Sequence, residues 1–152
     1  MKIWVDADAC PSVIRDILYK AAQRLKIHTI FVANQPIRLP QQAYLSQRQV
    51  SQGADVADTY IVDHLQAGDL VITQDLPLAA DILALQAYAL SPRGELFTQD
   101  NLGPRLNMRD FMETLRASGI HGGGPSSLSQ SDRRNFANQL DKLLHQLTSA
   151  ST

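Results

Sequence analysis

With one cysteine, Cys10, the chain cannot close an internal disulfide, which agrees with a reducing compartment. Its four histidines, His28, His64, His121 and His145, show no zinc-like spacing with one another or with Cys10, so no structural zinc is expected. No apolar run approaches the length of a membrane span, and no charged lead followed by a long apolar segment opens the chain. The expectation is a cytoplasmic protein with no membrane partner. Positive charge is not in excess either: 14 Lys and Arg against 15 Asp and Glu leave a formal net charge of -1. That balance excludes a generally basic nucleic-acid binder, so any phosphate contact must come from a local patch. There is no internal repeat. What is present is 152 residues, 44% of them hydrophobic, enough for one domain with a full core. We expect that domain over residues 1–147, with a small, polar, frayed tail at 148–152.

The elements alternate along the chain. Lys2 to Val5 reads as a short strand leading into Asp6-Ala-Asp8. The helical spacing of Ile14, Ile17, Leu18, Ala21 and Leu25 follows, with Pro11 suited to a first helical turn. The β-branched run Ile27 to Ala33 predicts a second strand ended by Asn34, and strand, helix, strand implies a parallel crossover. Residues 35–53, with Pro36 and Pro40, predict loop with a short strand near Gln49-Val50-Ser51. Val56, Tyr60, Ile61 and Leu65 fall on helical spacing, with Gly68 as the stop. Leu70 to Thr73 predicts a buried central strand, Pro77 to Gln86 a helix, and Ala87 to Leu90 a fifth strand. Beyond these, Glu95 to Thr98 predicts an edge strand, Leu106 to Ala117 an amphipathic helix, and Gly119 to Gln130 a glycine- and serine-rich loop. A last helix is expected from Ser131, as N-cap, to Leu147, burying Phe136, Leu140, Leu143, Leu144 and Leu147. The fold class is α/β: a three-layer α/β/α domain with a mostly parallel central sheet and C-terminal helices.

Acidic residues gather where open α/β sheets bind ligands, at the carboxyl ends of strands. Asp6 and Asp8 leave the first strand, Asp55 and Asp58 share a face of one helical turn, and Asp75 follows the fourth strand. Taken singly, Asp8 and Asp55 read equally well as helix caps and Asp75 as a turn residue. Taken together they point to a metal. Two unit charges about 4 Å apart repel by roughly 4 kcal/mol at an effective dielectric near 20, so such a cluster needs a cation or protons. All-oxygen ligation favours Mg2+ or Mn2+. Asp63, Asp69 and Asp81 are expected to face solvent. Asn34, Thr73 and Arg93, at or just past strand exits, are the expected substrate contacts.

The arginines Arg93, Arg105, Arg109, Arg116, Arg133 and Arg134 gather in the last third. They could hold phosphates, or form solvated helix faces paired with Asp110, Glu113 and Asp132. Cys10 reads as a nucleophile or, more commonly for such a residue, a small buried side chain. Gly122-Gly-Gly-Pro lacks the lysine and the strand-loop-helix context of a phosphate loop and reads as a connector.

The motifs Asp6-Ala-Asp-Ala-Cys-Pro, Gly53-Ala-Asp-Val-Ala-Asp, Gly68-Asp-Leu-Val-Ile-Thr-Gln-Asp-Leu-Pro-Leu-Ala, Ser91-Pro-Arg-Gly, Gly123-Gly-Pro and Asp132-Arg-Arg resemble a known pattern. It is that of the YaiI/YqxD family of uncharacterised bacterial proteins, over residue 1 to about Leu147. That family looks like a branch of the PIN-like, NYN-related nuclease superfamily, which carries one acid at the end of the first strand, acids on a middle helix and one after the fourth strand. Asp6, Asp55 or Asp58, and Asp75 fall on those positions. The resemblance implies a PIN-like fold and a Mg2+- or Mn2+-dependent nuclease, with RNA the more natural substrate than DNA. In that reading Asp6, Asp58 and Asp75 hold the metal, while Asp8 and Asp55 complete the shell or orient the attacking water. Many PIN-like members carry a further acid two residues past the fourth-strand one. This chain has Pro77 there, and Asp8 is the candidate replacement. Two other functions fit the same residues. One is a haloacid-dehalogenase-type phosphohydrolase with Asp6 as nucleophile and Asp8 as acid–base partner. The other is a non-catalytic module that binds a metal or nucleotide.

Overall fold

The computed structural model describes residues 1–53, 55–104, 106 and 128–150, the side chains of 149 and 150 excepted. Apart from Leu106 and residues 128–130, the helix expected over Leu106 to Ala117 and the loop from Gly119 lie outside the described residues, as do Arg105, Arg109 and Arg116. The elements are β1 (Ile3–Asp6), a 3-10 turn (Ala7–Ala9), α1 (Ser12–Leu25), β2 (Thr29–Ala33), β3 (Leu45–Gln49), α2 (Val56–His64), β4 (Leu70–Ile72), α3 (Leu76–Ala84), β5 (Tyr88–Leu90), α4 (99–104) and α5 (Gln130–Ala150). The five strands form one sheet in the order β3-β2-β1-β4-β5, and every pairing is parallel.

Alternation along the strands separates the layers. Ile3, Val5, Phe31, Ile72 and Leu90 point to one face, where Ile14 and Leu18 of α1 and Phe136, Leu140 and Leu144 of α5 cover them. Trp4, Ile30, Val32, Val71 and Ala89 point to the other, against Ile61 of α2 and Leu78 and Ile82 of α3. Side chains on successive strand residues leave opposite faces, so a sheet covered on both sides must be apolar throughout. The result is the expected α/β/α arrangement. Trp4 meets Tyr60 of α2 edge-on, ring centroids 6.3 Å apart. Among the described residues no helix is long and apolar enough to cross a membrane.

Several local expectations shift. The strand foreseen near Val50 lies earlier, at Leu45–Gln49, because β2 pairs residue for residue with it from Thr29–Leu45 to Ala33–Gln49. Of the expected stretch, Gln49 ends β3 opposite Ala33, and the Val50 N–H bonds to the Ala33 carbonyl at 2.8 Å. Helix α2 ends at His64 with Leu65 extended, so Gly68 is not its cap. At φ +88° Gly68 instead forms the turn into β4, its N–H bonded to the Gln86 carbonyl at 3.0 Å. Glu95 to Thr98 makes a single antiparallel bridge, Leu90 to Leu96, rather than a strand. Helical geometry continues to Ala150, three residues past the expected end.

The cap of α5 is Ser129 and not Ser131. The Ser129 hydroxyl accepts from the Asp132 N–H at 3.0 Å, and the Asp132 carboxylate accepts from the Ser129 N–H at 3.0 Å. This reciprocal pair satisfies two of the donors that a helix start leaves open. Ser129→Ala is accordingly expected to cost about 1 kcal/mol in urea denaturation, and Ser131→Ala less than about 0.5 kcal/mol.

Candidate functional site

The strand order places a reversal between β1 and β4. From β1 the chain builds outward through β2 to β3, then returns to add β4 on β1's other side. At such a point the connections diverge to opposite faces and leave a crevice at the carboxyl ends of the strands. Asp6 ends β1 there, and Thr73 and Asp75 follow β4. The buried Thr73 hydroxyl donates to Asp6 Oδ2 at 3.2 Å and accepts from the Asp75 N–H at 3.0 Å, so one side chain ties the two exits together. Asp75 is the N-cap of α3, its Oδ1 accepting from the Leu78 N–H at 2.8 Å. Asp55 occupies the N-cap position of α2 at φ +68° without a side-chain cap bond, and Asp58 lies in that helix's first turn.

Asp55, Asp58, Asp75 and Asp81 line one cleft of about 440 Å³, with Pro77 on its wall. Burial, and then the charges of Asp75, Asp6, Asp55 and Asp81, push the Asp58 carboxyl up to about 6. Asp6 is raised as well, chiefly by burial, opposed by the Thr73 hydrogen bond and reinforced by Asp75 and Asp8. The acids from β1, α2 and α3 therefore sense one another. Neither ion pair found among the described residues, Arg24–Asp141 or Arg93–Asp132, involves them.

The sign of the Asp58 shift sets a stability test. Because its folded-state value lies above the ordinary 3.8, Asp58 favours folding while protonated, and that contribution is lost as pH rises from about 4 through 6. Asp58→Asn is expected to stabilise the chain by about 1 kcal/mol at pH 7.5 in EDTA, a figure reduced for the partial exposure of the group, and by nothing at pH 3.5. Melting curves at the two pH values measure it.

Asp6 itself, Asp8, Asn34, Thr73 and Arg93 are not among the residues that line this cleft, although Asp6 feels the charges of Asp75 and Asp8. Asp8 is exposed, and its Oδ2 accepts from the Asn34 N–H at 2.9 Å, which links the turn after β1 to the end of β2. It caps no helix. Arg93 is drawn to α5 by Asp132, Nη1 to Oδ2 at 2.6 Å. Cys10 is buried, and burial pushes its thiol up to about 12 against the opposing effect of Arg15, which leaves no reactive thiolate.

Asp69 departs from expectation. It is 4% exposed, not solvent-facing, and its carboxylate accepts from Lys2 N–H at 3.0 Å, Trp4 Nε1 at 3.1 Å and Gln66 N–H at 2.9 Å. It sits just before β4, at the sheet edge opposite the cleft, where backbone donors at the start of β1 need an acceptor. Asp81 is the cleft residue that sequence reasoning left out. Its signal was the helical phase of α3, since it lies one turn after Pro77 and so on the same face.

The donor set suits a hard divalent cation in kind, being all carboxylate with one oxygen each of Asp6 and Asp75 free of hydrogen bonds among the described residues. As the side chains stand, no three His, Cys, Asp or Glu residues among those described form a ready-made ligand group. A cation would have to draw them together.

Comparison with known proteins agrees with the motif pattern. A family model described as "Uncharacterized BCR, YaiI/YqxD family" matches residues 4–146. A UPF0178 protein of Thioalkalivibrio sulfidiphilus is 62% identical over 144 residues, covering 95% of this chain and 98% of its own. UPF0178 proteins of Colwellia psychrerythraea and Pectobacterium carotovorum are each 58% identical over 146 residues, covering 96% of this chain and 97% of theirs. No solved structure matches the chain. On the span and identity of these matches, the chain belongs to the uncharacterised YaiI/YqxD family.

Proposed function

We propose that the protein is a PIN-like, divalent-cation-dependent nuclease that hydrolyses phosphodiesters, RNA before DNA, at the acidic cleft. The observation that supports this reading is the convergence of Asp6, Asp58 and Asp75, from three separate crossovers, near the reversal point of the sheet, close enough to raise the carboxyls of Asp6 and Asp58 and with no ion pair to any of them among the described residues. Asp6, Asp58 and Asp75 would hold Mg2+ or Mn2+, with Asp8, Asp55 and Asp81 flanking. When bound, the ion supplies Lewis-acid stabilisation of phosphodiester charge and a more acidic water. Thr73 holds Asp6 and the start of α3 in a fixed relation, and that restraint limits the reorganisation the site undergoes when charge develops. Asp81 places a carboxylate near Pro77 and offers a substitute for the acid that Pro77 displaces.

The phosphohydrolase alternative finds no lysine among the residues that line the acidic cleft. Lys2 precedes β1, at the far edge from Asp6, and Lys26 follows α1 at that same far edge. Asp8, its second participant, is engaged with the Asn34 amide.

The test pairs Mn2+ calorimetry with cleavage of end-labelled RNA. We expect binding and cleavage by the native chain, both abolished by EDTA. Asp6→Asn and Asp75→Asn should lower cleavage at least about 100-fold while melting near the native temperature, because asparagine accepts the same Thr73 and Leu78 hydrogen bonds. Cleavage that persists in EDTA would refute the metal-dependent reading. Mn2+ binding without turnover would leave a binding module.

A further inference from the structure

The acidic cleft repels the ligand that the nuclease reading assigns to it, since a polyanion gains nothing from four carboxylates before a cation arrives. Its backbone must be held elsewhere. On the opposite face of the sheet, α1 and α5 run side by side in the same direction: residues 13–20 of α1 and 130–134 of α5 line one groove, and Arg24 pairs with Asp141 farther along both helices. Because α1 begins just after the turn that follows Asp6, this groove opens at the same sheet edge as the acids.

The groove, about 420 Å³, carries Lys20, Arg133 and Arg134 against one acid, Asp16. Lys20 and Arg134 are exposed, Arg133 is half-buried, and none of the three forms an ion pair among the described residues. Asp132, the acid next to the two arginines, is occupied by Arg93 and by the Ser129 N–H. In a chain whose net charge is -1, this is a local excess of positive charge among the described residues, three cations to one acid. Its floor is apolar, with Val13 36% exposed and Ile17 beside it.

We propose that the α1–α5 groove binds the backbone of a single-stranded nucleic acid, with Lys20, Arg133 and Arg134 on its phosphates and Val13 and Ile17 against sugar or base. Charge complementarity selects a phosphate polyanion, and the apolar floor of Val13 and Ile17 between two helices suits an unpaired strand, whose sugars and bases are open to contact. The choice of nucleic acid rests on the nuclease reading, but the binding itself requires neither metal nor cleavage.

Fluorescence anisotropy of a labelled oligoribonucleotide, in EDTA and at several salt concentrations, tests this. The native chain is expected to bind with strong salt dependence. The combined Lys20→Gln, Arg133→Gln and Arg134→Gln variant should bind at least about tenfold more weakly, with the log–log salt slope flattened by about 2, the loss of three single-strand phosphate contacts. A control with Lys2→Gln, Lys26→Gln and Lys142→Gln removes the same net charge elsewhere and should change affinity less than about threefold. Equal weakening in the two variants, absence of native binding, or a duplex that competes as well as the single strand overturns the proposal. If the groove variant loses binding while no metal-dependent cleavage is found, the nuclease reading falls alone. If cleavage is present and its KM is unchanged in the groove variant, the groove falls alone.

Discussion

Asp69→Ala is expected to destabilise the protein by about 4 kcal/mol, a large share of the 5–15 kcal/mol that holds a typical domain together. The carboxylate is nearly inaccessible and satisfies three donors at once: two backbone N–H groups, Lys2 and Gln66, and the Trp4 indole. A donor left buried without a partner costs about 1–3 kcal/mol; the Trp4 bond is buried and the two backbone bonds are partly so, and the truncated side chain leaves a void as well. Asp69→Asn keeps an acceptor oxygen and should cost roughly half as much. Urea titrations followed by tryptophan emission measure both, because Trp4 is the chain's single tryptophan and one of the groups released. A loss below about 1 kcal/mol for the alanine variant would mean that water reaches these donors and replaces the carboxylate.

Gly94→Ala is the second large effect. Gly94 has φ +90°, and a Cβ there would stand 2.5 Å from the Asn135 carbonyl carbon and 2.6 Å from the Phe136 nitrogen. Those atoms are helix backbone and cannot rotate aside, so α5 must shift away from the loop after β5. We expect a cost of at least about 3 kcal/mol, combining overpacking with an unfavourable backbone region. The loss would expose Phe136, Leu140 and Leu144, which cover one face of the sheet. Gly68→Ala provides the contrast: its φ is +88°, but a Cβ there meets nothing within 4 Å, so only the backbone penalty of about 1 kcal/mol applies. Denaturation midpoints for the two variants should separate clearly, and equal midpoints would show that α5 is not closely seated on Gly94.

The parts of the fold legible in the sequence were those whose burial is local in the chain. Strands β1, β2 and β4 are covered on both faces, so they read as short apolar runs, and the acids at their exits stood out against them. Strand β3, Leu-Ser-Gln-Arg-Gln, is an edge strand with no apolar run, and its position follows from pairing with β2 rather than from its own residues. Asp69 was misplaced for a related reason. Two of its partners, Lys2 and Trp4, lie more than 60 residues away in sequence and come beside it only when β4 adds to β1. The cap at Ser129 was legible after all, since Ser129 and Asp132 have capping-box spacing, whereas Ser131 is followed three residues later by Arg134. Of the acids that line the cleft, Asp75 stood out by its strand exit and Asp55 and Asp58 by their shared helical turn. The place of Asp81 in the cleft depended on how α2 lies against α3.

The indole of Trp4 packs against Tyr60 on the helix that carries Asp58, 6.3 Å between centroids. A divalent ion that pulls Asp58 toward Asp6 would turn that helix under a fluorophore anchored in the sheet. If the proposed ion binds, Trp4 emission would report that movement in a cuvette with no label attached.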